Sequence, residues 1–175
     1  MSISFEDFLL YTKAPESDIK LFPVISLGVL EYIKDTYGIF IEEATIDYKY
    51  FMLSAGTTLT LPVSPLNNIN SIKVNGVDQV FTYYGEDIEL STAITDLRVP
   101  LICNIDVGYT TVPADLKLAI YQHIESVYFS TKNSADNIEK IINTSGNTTY
   151  LKDESLPKFS KSIYNKYSNR LIAYY

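Results

Sequence analysis

The chain of 175 residues predicts an α+β fold, and three features of its sequence carry that prediction. Apolar residues recur at three- and four-residue steps in the first third, the period of a helix. The middle third alternates apolar and polar residues around an Asn-Gly pair, the pattern of antiparallel strands and tight hairpins. The last third returns to the helical period.

Each element follows from local residues. Ser4 to Tyr11 predicts a short helix, with Ser4 as its cap and Asp7 where a capping box would place Glu or Gln. Ile19, Phe22, Ile25, Ser26, Val29, Leu30, Ile33 and Tyr37 mark a longer helix that starts near Pro23 and stops at Gly38. Tyr48 to Leu53 and Thr57 to Leu61 read as strands, punctuated by Pro62 and Pro65. Ile72 and Val74 alternate with Ser71 and Lys73, then Asn75-Gly76 turns the chain into a strand over Val77 to Tyr83. Leu101, Cys103, Ile105 and Val107 alternate with polar residues as a strand with one buried face, a pattern that Ile102 interrupts.

Val112-Pro113-Ala114-Asp115 opens a helix, because proline is tolerated in the first turn and an acid suits the positive end of the dipole. Leu116, Ile120, Ile124 and Val127 form its apolar stripe, widened by Ala119, Tyr128 and Phe129. Ile138, Ile141 and Ile142 with Gly146 suggest a short capped helix. After Leu156-Pro157, the residues Phe159, Ile163, Tyr167 and Leu171 are spaced by four, so the tail reads as an amphipathic helix.

Composition narrows the function. The chain is 46% hydrophobic and 20% charged, as in a globular domain, and can bury roughly 70% of its unfolded surface. One Cys and one His supply neither an internal disulfide nor the usual set of structural zinc ligands. Met1 to Tyr11 holds Glu6 and Asp7 and no basic stretch, unlike a signal peptide, and no uncharged apolar run is long enough to span a membrane. The formal charge of −7 is uneven. Residues 156–175 hold Lys158, Lys161, Lys166 and Arg170 and no acid, a formal +4, which leaves −11 on residues 1–155. The sequence thus divides into an acidic body, 1–155, and a basic aromatic arm, 156–175.

The polar and reactive residues have plain readings. His123 lies mid-helix without a partner that would make it catalytic, and Cys103 falls on the buried face of its strand as a small apolar residue. Phosphate-binding glycine loops, dinucleotide fingerprints and nucleophile elbows are all missing from the sequence, so no catalytic residue, cofactor or metal is assigned. Glu42-Glu43 and Glu86-Asp87-Glu89 lack the spacing of a calcium loop and read as solvated charged edges. Asn143-Thr144-Ser145 and Asn147-Thr148-Thr149 read as a polar loop. Fifteen tyrosines suit half-buried packing. Tyr164, Tyr167, Tyr174 and Tyr175 have no neighbouring core in the sequence, and an exposed apolar stripe there suggests a partner.

The order of these motifs resembles that of the head–tail connector proteins of tailed bacteriophages, also called adaptor or head-completion proteins. The helix ends in Tyr37-Gly38, and the runs Leu59-Thr60-Leu61-Pro62, Ile69-Asn70-Ser71-Ile72-Lys73-Val74-Asn75-Gly76 and Tyr83-Tyr84 follow. Val107-Gly108-Tyr109 then leads to Val112-Pro113-Ala114-Asp115-Leu116-Lys117-Leu118-Ala119-Ile120, and Leu156-Pro157 and Tyr167 close the series. The likeness covers residues 19–131 and 156–171. Residues 132–155 are longer than a minimal member needs, and the chain ends in Tyr174-Tyr175 where basic residues would be usual.

The resemblance implies a non-enzymatic virion protein at the head–tail interface, made in the cytoplasm of the bacterial host. It implies a small helical bundle with an inserted β-hairpin or small antiparallel sheet and an extended C-terminal arm. Twelve copies would form a ring beneath the portal, prolong the DNA channel and offer a platform to downstream tail or stopper proteins. Carried onto this chain, the portal-docking arm comprises Leu156, Pro157, Phe159, Ile163, Tyr164, Tyr167, Arg170 and Leu171. Glu86, Asp87 and Glu89, expected on a turn, are candidates for acids facing the channel, where negative charge would keep passing double-stranded DNA from sticking. An alternative reading from the residues themselves is a nucleic-acid-binding module, with the arm's lysines and tyrosines contacting phosphates and stacking on bases.

Overall fold

The computed structural model describes residues 3–12, 20–85, 87–132 and 156–168. The fold is α+β, as the sequence predicts. It divides into a helical unit built from Met1–Tyr37 and Thr111–Tyr167, and a β unit of Gly38–Thr110, with which Ser168–Tyr175 is also grouped. The stretch from 156 to 167, set apart by its composition, is thus counted with the other helices. The suggested helix around Ile138 lies outside the described residues. No described helix is long and apolar enough to cross a membrane.

Four described helices make the helical unit: α1 (Phe5–Tyr11), α2 (Phe22–Tyr37), α3 (Ala114–Lys132) and α4 (Lys158–Tyr167). Ser4 caps α1, its hydroxyl accepting from the Asp7 backbone N–H at 3.2 Å. The Asp7 carboxylate pairs with Lys117 on α3, which holds the carboxyl below its usual range. This pair, together with the Ser4 N–H donating to the Tyr121 hydroxyl at 3.1 Å, fastens α1 to α3. Gly38 follows α2 at φ 69°, the left-handed stop that favours glycine. Leu116, Ala119, Ile120, Ile124 and Val127 form the buried stripe of α3 at the predicted spacing, whereas Phe129 stays exposed.

Aromatic rings fill the centre of this unit. The Phe8 and Phe22 centroids are 5.1 Å apart, and Tyr121 lies 6.0 Å from Phe8. His123 is buried, with Tyr32 edge-on at 5.4 Å. Burial pushes the imidazole pKa down to about 4, so the ring is neutral at neutral pH. His123 is a packed core residue here.

Seven described strands make the β unit: β1 (Ala44–Tyr50), β2 (Gly56–Thr60), β3 (Leu66–Val74), β4 (Val77–Asp78), β5 (Phe81–Tyr84), β6 (Asp87–Ile94) and β7 (Leu101–Val107). They form two antiparallel sheets, of order β1-β7-β3-β4 and β2-β6-β5. The predicted hairpin is real, with Asn75 at φ 52° and Gly76 at φ 78°, the paired positive angles that a tight hairpin turn requires. It is one element of a larger β unit. The strand expected over Val77 to Tyr83 breaks after Asp78, because β4 and β5 belong to different sheets and the chain crosses between them at residues 79–80. β7 is the interior strand that both β1 and β3 pair with. Its Leu101, Cys103, Ile105 and Val107 are all buried, and Ile102 lies half-buried in the alternate register. These side chains join Leu59, Ile72, Ile88 and Leu90 in a core of the unit's own, each fully buried chain contributing about 1.5–3 kcal/mol. Burial raises the Cys103 thiol to about 11, so it packs as an inert apolar group.

One glycine closes this unit. Gly108 sits at φ 96°, and a Cβ there would lie 2.0 Å from the Glu42 carbonyl oxygen. The chain enters the unit beside Glu42 and leaves it beside Gly108, so this backbone approach joins the two ends. The Asn67 side-chain amide donates to the Gly108 carbonyl at 2.7 Å and secures the crossing.

Two outcomes follow. Gly108→Ala clashes with backbone that has no rotamer to yield, and should destabilise the fold by about 3 kcal/mol or more, read by urea unfolding. His123 is held neutral below its unfolded pKa, so the folded state loses stability as pH falls from about 6.5 to 4. The full loss amounts to about 3 kcal/mol. His123→Phe should flatten the pH dependence of the urea midpoint across that window.

Candidate functional site

The C-terminal helix α4 and its seat on α3 gather most of the residues that the sequence assigns to docking. α4 begins after Pro157, whose carbonyl accepts from the Lys161 N–H at 3.0 Å. The buried face of α4 comprises Ser160 and Tyr164, with Leu156 buried just ahead of the helix. Both hydroxyls converge on one acceptor: Ser160 Oγ donates to the Ala119 carbonyl at 2.8 Å, and Tyr164 Oη donates to it at 3.2 Å. His123 Nδ1 lies 3.4 Å from the Tyr164 hydroxyl, and the Tyr37 and Tyr164 ring centroids are 5.3 Å apart. Burial pushes the Tyr164 pKa well up, so the phenol stays protonated as a donor.

A polar clamp closes the end of the helix. Lys166 Nζ donates to Asp115 Oδ2 at 2.7 Å, and Tyr167 Oη donates to Oδ1 at 2.6 Å. Lys166 and then Tyr167 stabilise the carboxylate, which falls to about 2. Asp115 sits in the first turn of α3, where the dipole also favours its negative charge.

The predicted arm residues therefore separate. Leu156 and Tyr164 are buried; Pro157, Ile163 and Tyr167 are half-buried; Phe159 is 42% exposed beside the exposed Lys158. Arg170 and Leu171 lie outside the described residues. The expectation that Tyr164 lacks a neighbouring core is corrected: it is one of the largest fully buried side chains described. The four-residue stripe through Phe159 and Ile163 places the apolar face about one residue away from the face that docks. The physical reason is the Ala119 carbonyl, which makes burial of Ser160 favourable and which no periodicity reveals. Ser160, Tyr164 and Tyr167 stand at i, i+4 and i+7, a spacing that would have disclosed this face.

The acidic residues are dispersed. Asp87 and Glu89 are exposed, but on strand β6 and not on a turn, alternating with buried Ile88 and Leu90. Glu86 lies outside the described residues. Asp87 Oδ1 accepts from Thr60 at 3.2 Å. On the β1-β7-β3 sheet, Asp106 accepts from Thr45 at 2.6 Å and Asn70 at 3.0 Å, which lower its pKa, while Asn104 donates to Asp47 at 2.7 Å. Residues 38–110 hold nine acids against three basic residues, so the β unit carries a formal −6. Among the described residues, no group of three His, Cys, Asp or Glu side chains is placed to hold a metal ion.

The Asp115 clamp generates a prediction for α4. Asp115→Asn removes the charge that both Lys166 and Tyr167 address, and should cost up to about 1 kcal/mol because the pair is largely solvated. The wild-type contribution is present above the carboxyl's unfolded value of 3.8 and fades as pH falls toward 2. Amide hydrogen exchange of α4 in the variant at neutral pH, against wild type, reads the loosening directly.

No family model matches the chain, and no curated protein matches its sequence. Among solved structures, the fold is similar to a chain from a structure described as the neck of an empty GTA particle computed with C6 symmetry. The two share 13% sequence identity at a TM-score of 0.50, over 74% of this chain and 81% of that one.

Proposed function

We propose that the chain is a structural, non-enzymatic component of the neck between head and tail of a phage or phage-like particle. The observation that carries this reading is the fold it shares with a chain of a GTA particle neck, a fold that spans most of both chains. The order of sequence motifs supports the same reading independently.

Within the neck, the chain acts as the adaptor: copies form a ring beneath the portal, extend the DNA channel and present a platform to tail or stopper proteins. Its basic segment docks the portal. The face of α4 that is free to do so is the one carrying Lys158 and Phe159, since Ser160 and Tyr164 already serve the helical unit. A cationic head beside an exposed ring suits an acidic, partly apolar partner surface. The −6 charge of the β unit, with Asp87 and Glu89 exposed, suits a wall past which DNA slides without adhering.

Truncating the chain at residue 153 would remove Leu156, Ser160 and Tyr164 from the helical unit, so surface substitutions are the cleaner test. Lys158→Glu with Phe159→Ala should leave the thermal midpoint unchanged and weaken co-sedimentation with the portal about tenfold or more. Unchanged docking by that variant would remove α4 as the portal contact. Steep salt-dependent affinity of the wild-type chain for DNA would instead favour a nucleic-acid-binding role.

A further inference from the structure

We infer that the end of the β unit opposite the Gly108–Glu42 crossing is a subunit-joining surface. Its occupant is the face of a second copy of this chain that carries Tyr84, Asp87 and Glu89. The inference rests on the ring reading above and narrows it: Asp87 and Glu89 meet a neighbour in the ring, and the unit's other acids charge the wall.

Strand register fixes which residues gather at that end. β1 finishes at Tyr50 opposite Leu101, where β7 starts, and Val74 at the close of β3 also pairs with Leu101. β2 starts at Gly56 opposite Ile94, where β6 finishes. The connections 51–55, 75–76 and 95–100 therefore share one end of the unit, while Val107 and the Gly108 crossing lie at the other. Phe51, Leu53 and Leu97 on these loops are exposed, as is Val77 beside the hairpin turn, with Leu53 at 89%. Met52 is buried between the first two, so it anchors the loop that presents them. Single exposed apolar residues are ordinary, but four at one end form the kind of patch that marks a contact.

Charge is sorted along the same axis. The unit's three basic residues, Lys49, Lys73 and Arg98, all lie toward the loop end, together with Asp78 and Asp96, a formal +1. The other seven acids of residues 38–110 share that stretch with no further base, a formal −7. The Lys73–Asp78 and Arg98–Asp96 pairs, at 3.8 and 3.3 Å, are solvated and weak.

The receiving face is built on the second sheet. Pairing aligns Thr60, Asp87 and Tyr84 in one row and Thr58, Glu89 and Thr82 in the next, all on one face. Tyr84 is 92% exposed, and neither Asp87 nor Glu89 pairs with a Lys or Arg among the described residues. The Tyr84 ring suits the apolar loops, and the two carboxylates suit Lys49 and Arg98. Tyr84 and Asp87 lie at the start of β6 and the loops at its end, so a chain cannot bring the two surfaces together within itself. Between identical chains the contact is heterologous and closes into a ring when the rotation permits.

Charge reversal in full-length chains tests the pairing. Lys49→Glu/Arg98→Glu makes the loop end acidic, and Asp87→Lys/Glu89→Lys makes the receiving face basic. Each variant alone should keep its thermal midpoint and need about tenfold or more concentration to form rings, by itself or on the portal. Mixed in equal amounts, the two should form rings at the wild-type concentration, because reversed loop ends then meet reversed faces and native ends meet native faces. Undiminished assembly of either variant, or no rescue on mixing folded variants, overturns the inference. Disulfide trapping gives a readout without charge change. Leu53→Cys with Tyr84→Cys should yield, on oxidation of rings, a ladder of covalent oligomers that each single-cysteine chain lacks; the buried Cys103, its thiol raised to about 11, stays as it is. Rings without that ladder overturn the inference and leave the ring reading standing. Rings intact in Leu53→Asp with loss of another neck protein would make that protein the occupant, and also overturn it. A wild-type chain that forms no ring in either setting defeats the ring reading itself.

Discussion

The Ala119 carbonyl is the point on which the helical unit turns. It lies mid-helix on α3 and accepts from two side chains of α4, Ser160 and Tyr164. A buried phenol and a buried hydroxyl are each costly without a partner, and one backbone oxygen satisfies both. That single acceptor fixes the rotation of α4. Once Ser160 and Tyr164 face inward, Lys158 and Phe159 must face out, and Lys166 and Tyr167 reach Asp115. The outward chemistry of the helix is thus decided by an inward hydrogen bond.

The β unit rests on a different constraint. Gly108 lets the exit of β7 pass within a side chain's width of the Glu42 backbone, and any Cβ there would collide with it. The resulting closure brings together the entry and exit of the stretch that carries the seven described strands. Inside, the alternation of β7 supplies a continuous apolar face to both sheets. Outside, amides and carboxylates on β1, β7 and β3 bond to one another, as Asp106 does with Thr45 and Asn70. Negative charge is therefore held on an ordered, internally hydrogen-bonded surface.

Much of this was legible in the residues, element by element. Ser4, Gly38, Asn75-Gly76 and Pro113 act through local backbone geometry, so a sequence reader finds them. The stripe of α3 and the alternation of β7 are likewise periodic, and a period survives without coordinates. Phe129 and the strand over Val77 to Tyr83 were misplaced for the opposite reason. Their fate depends on which neighbour arrives at that face or edge, and the break at residues 79–80 serves a pairing with strands distant in sequence.

The amino-acid sequence by itself determined the α+β class, the order of elements, the turn chemistry and the division of charge between acidic body and basic tail. These are properties of composition and of neighbours three or four residues apart. Tertiary structure alone decided which face of α4 is buried, that Asp87 and Glu89 lie on a strand, and that β1 stands last among the described strands of its sheet. Each of those depends on a partner far along the chain: the Ala119 carbonyl for Tyr164, β2 and β5 for β6, and β7 for β1. Long-range pairing leaves no local period, and so it is seen only when the chain is folded.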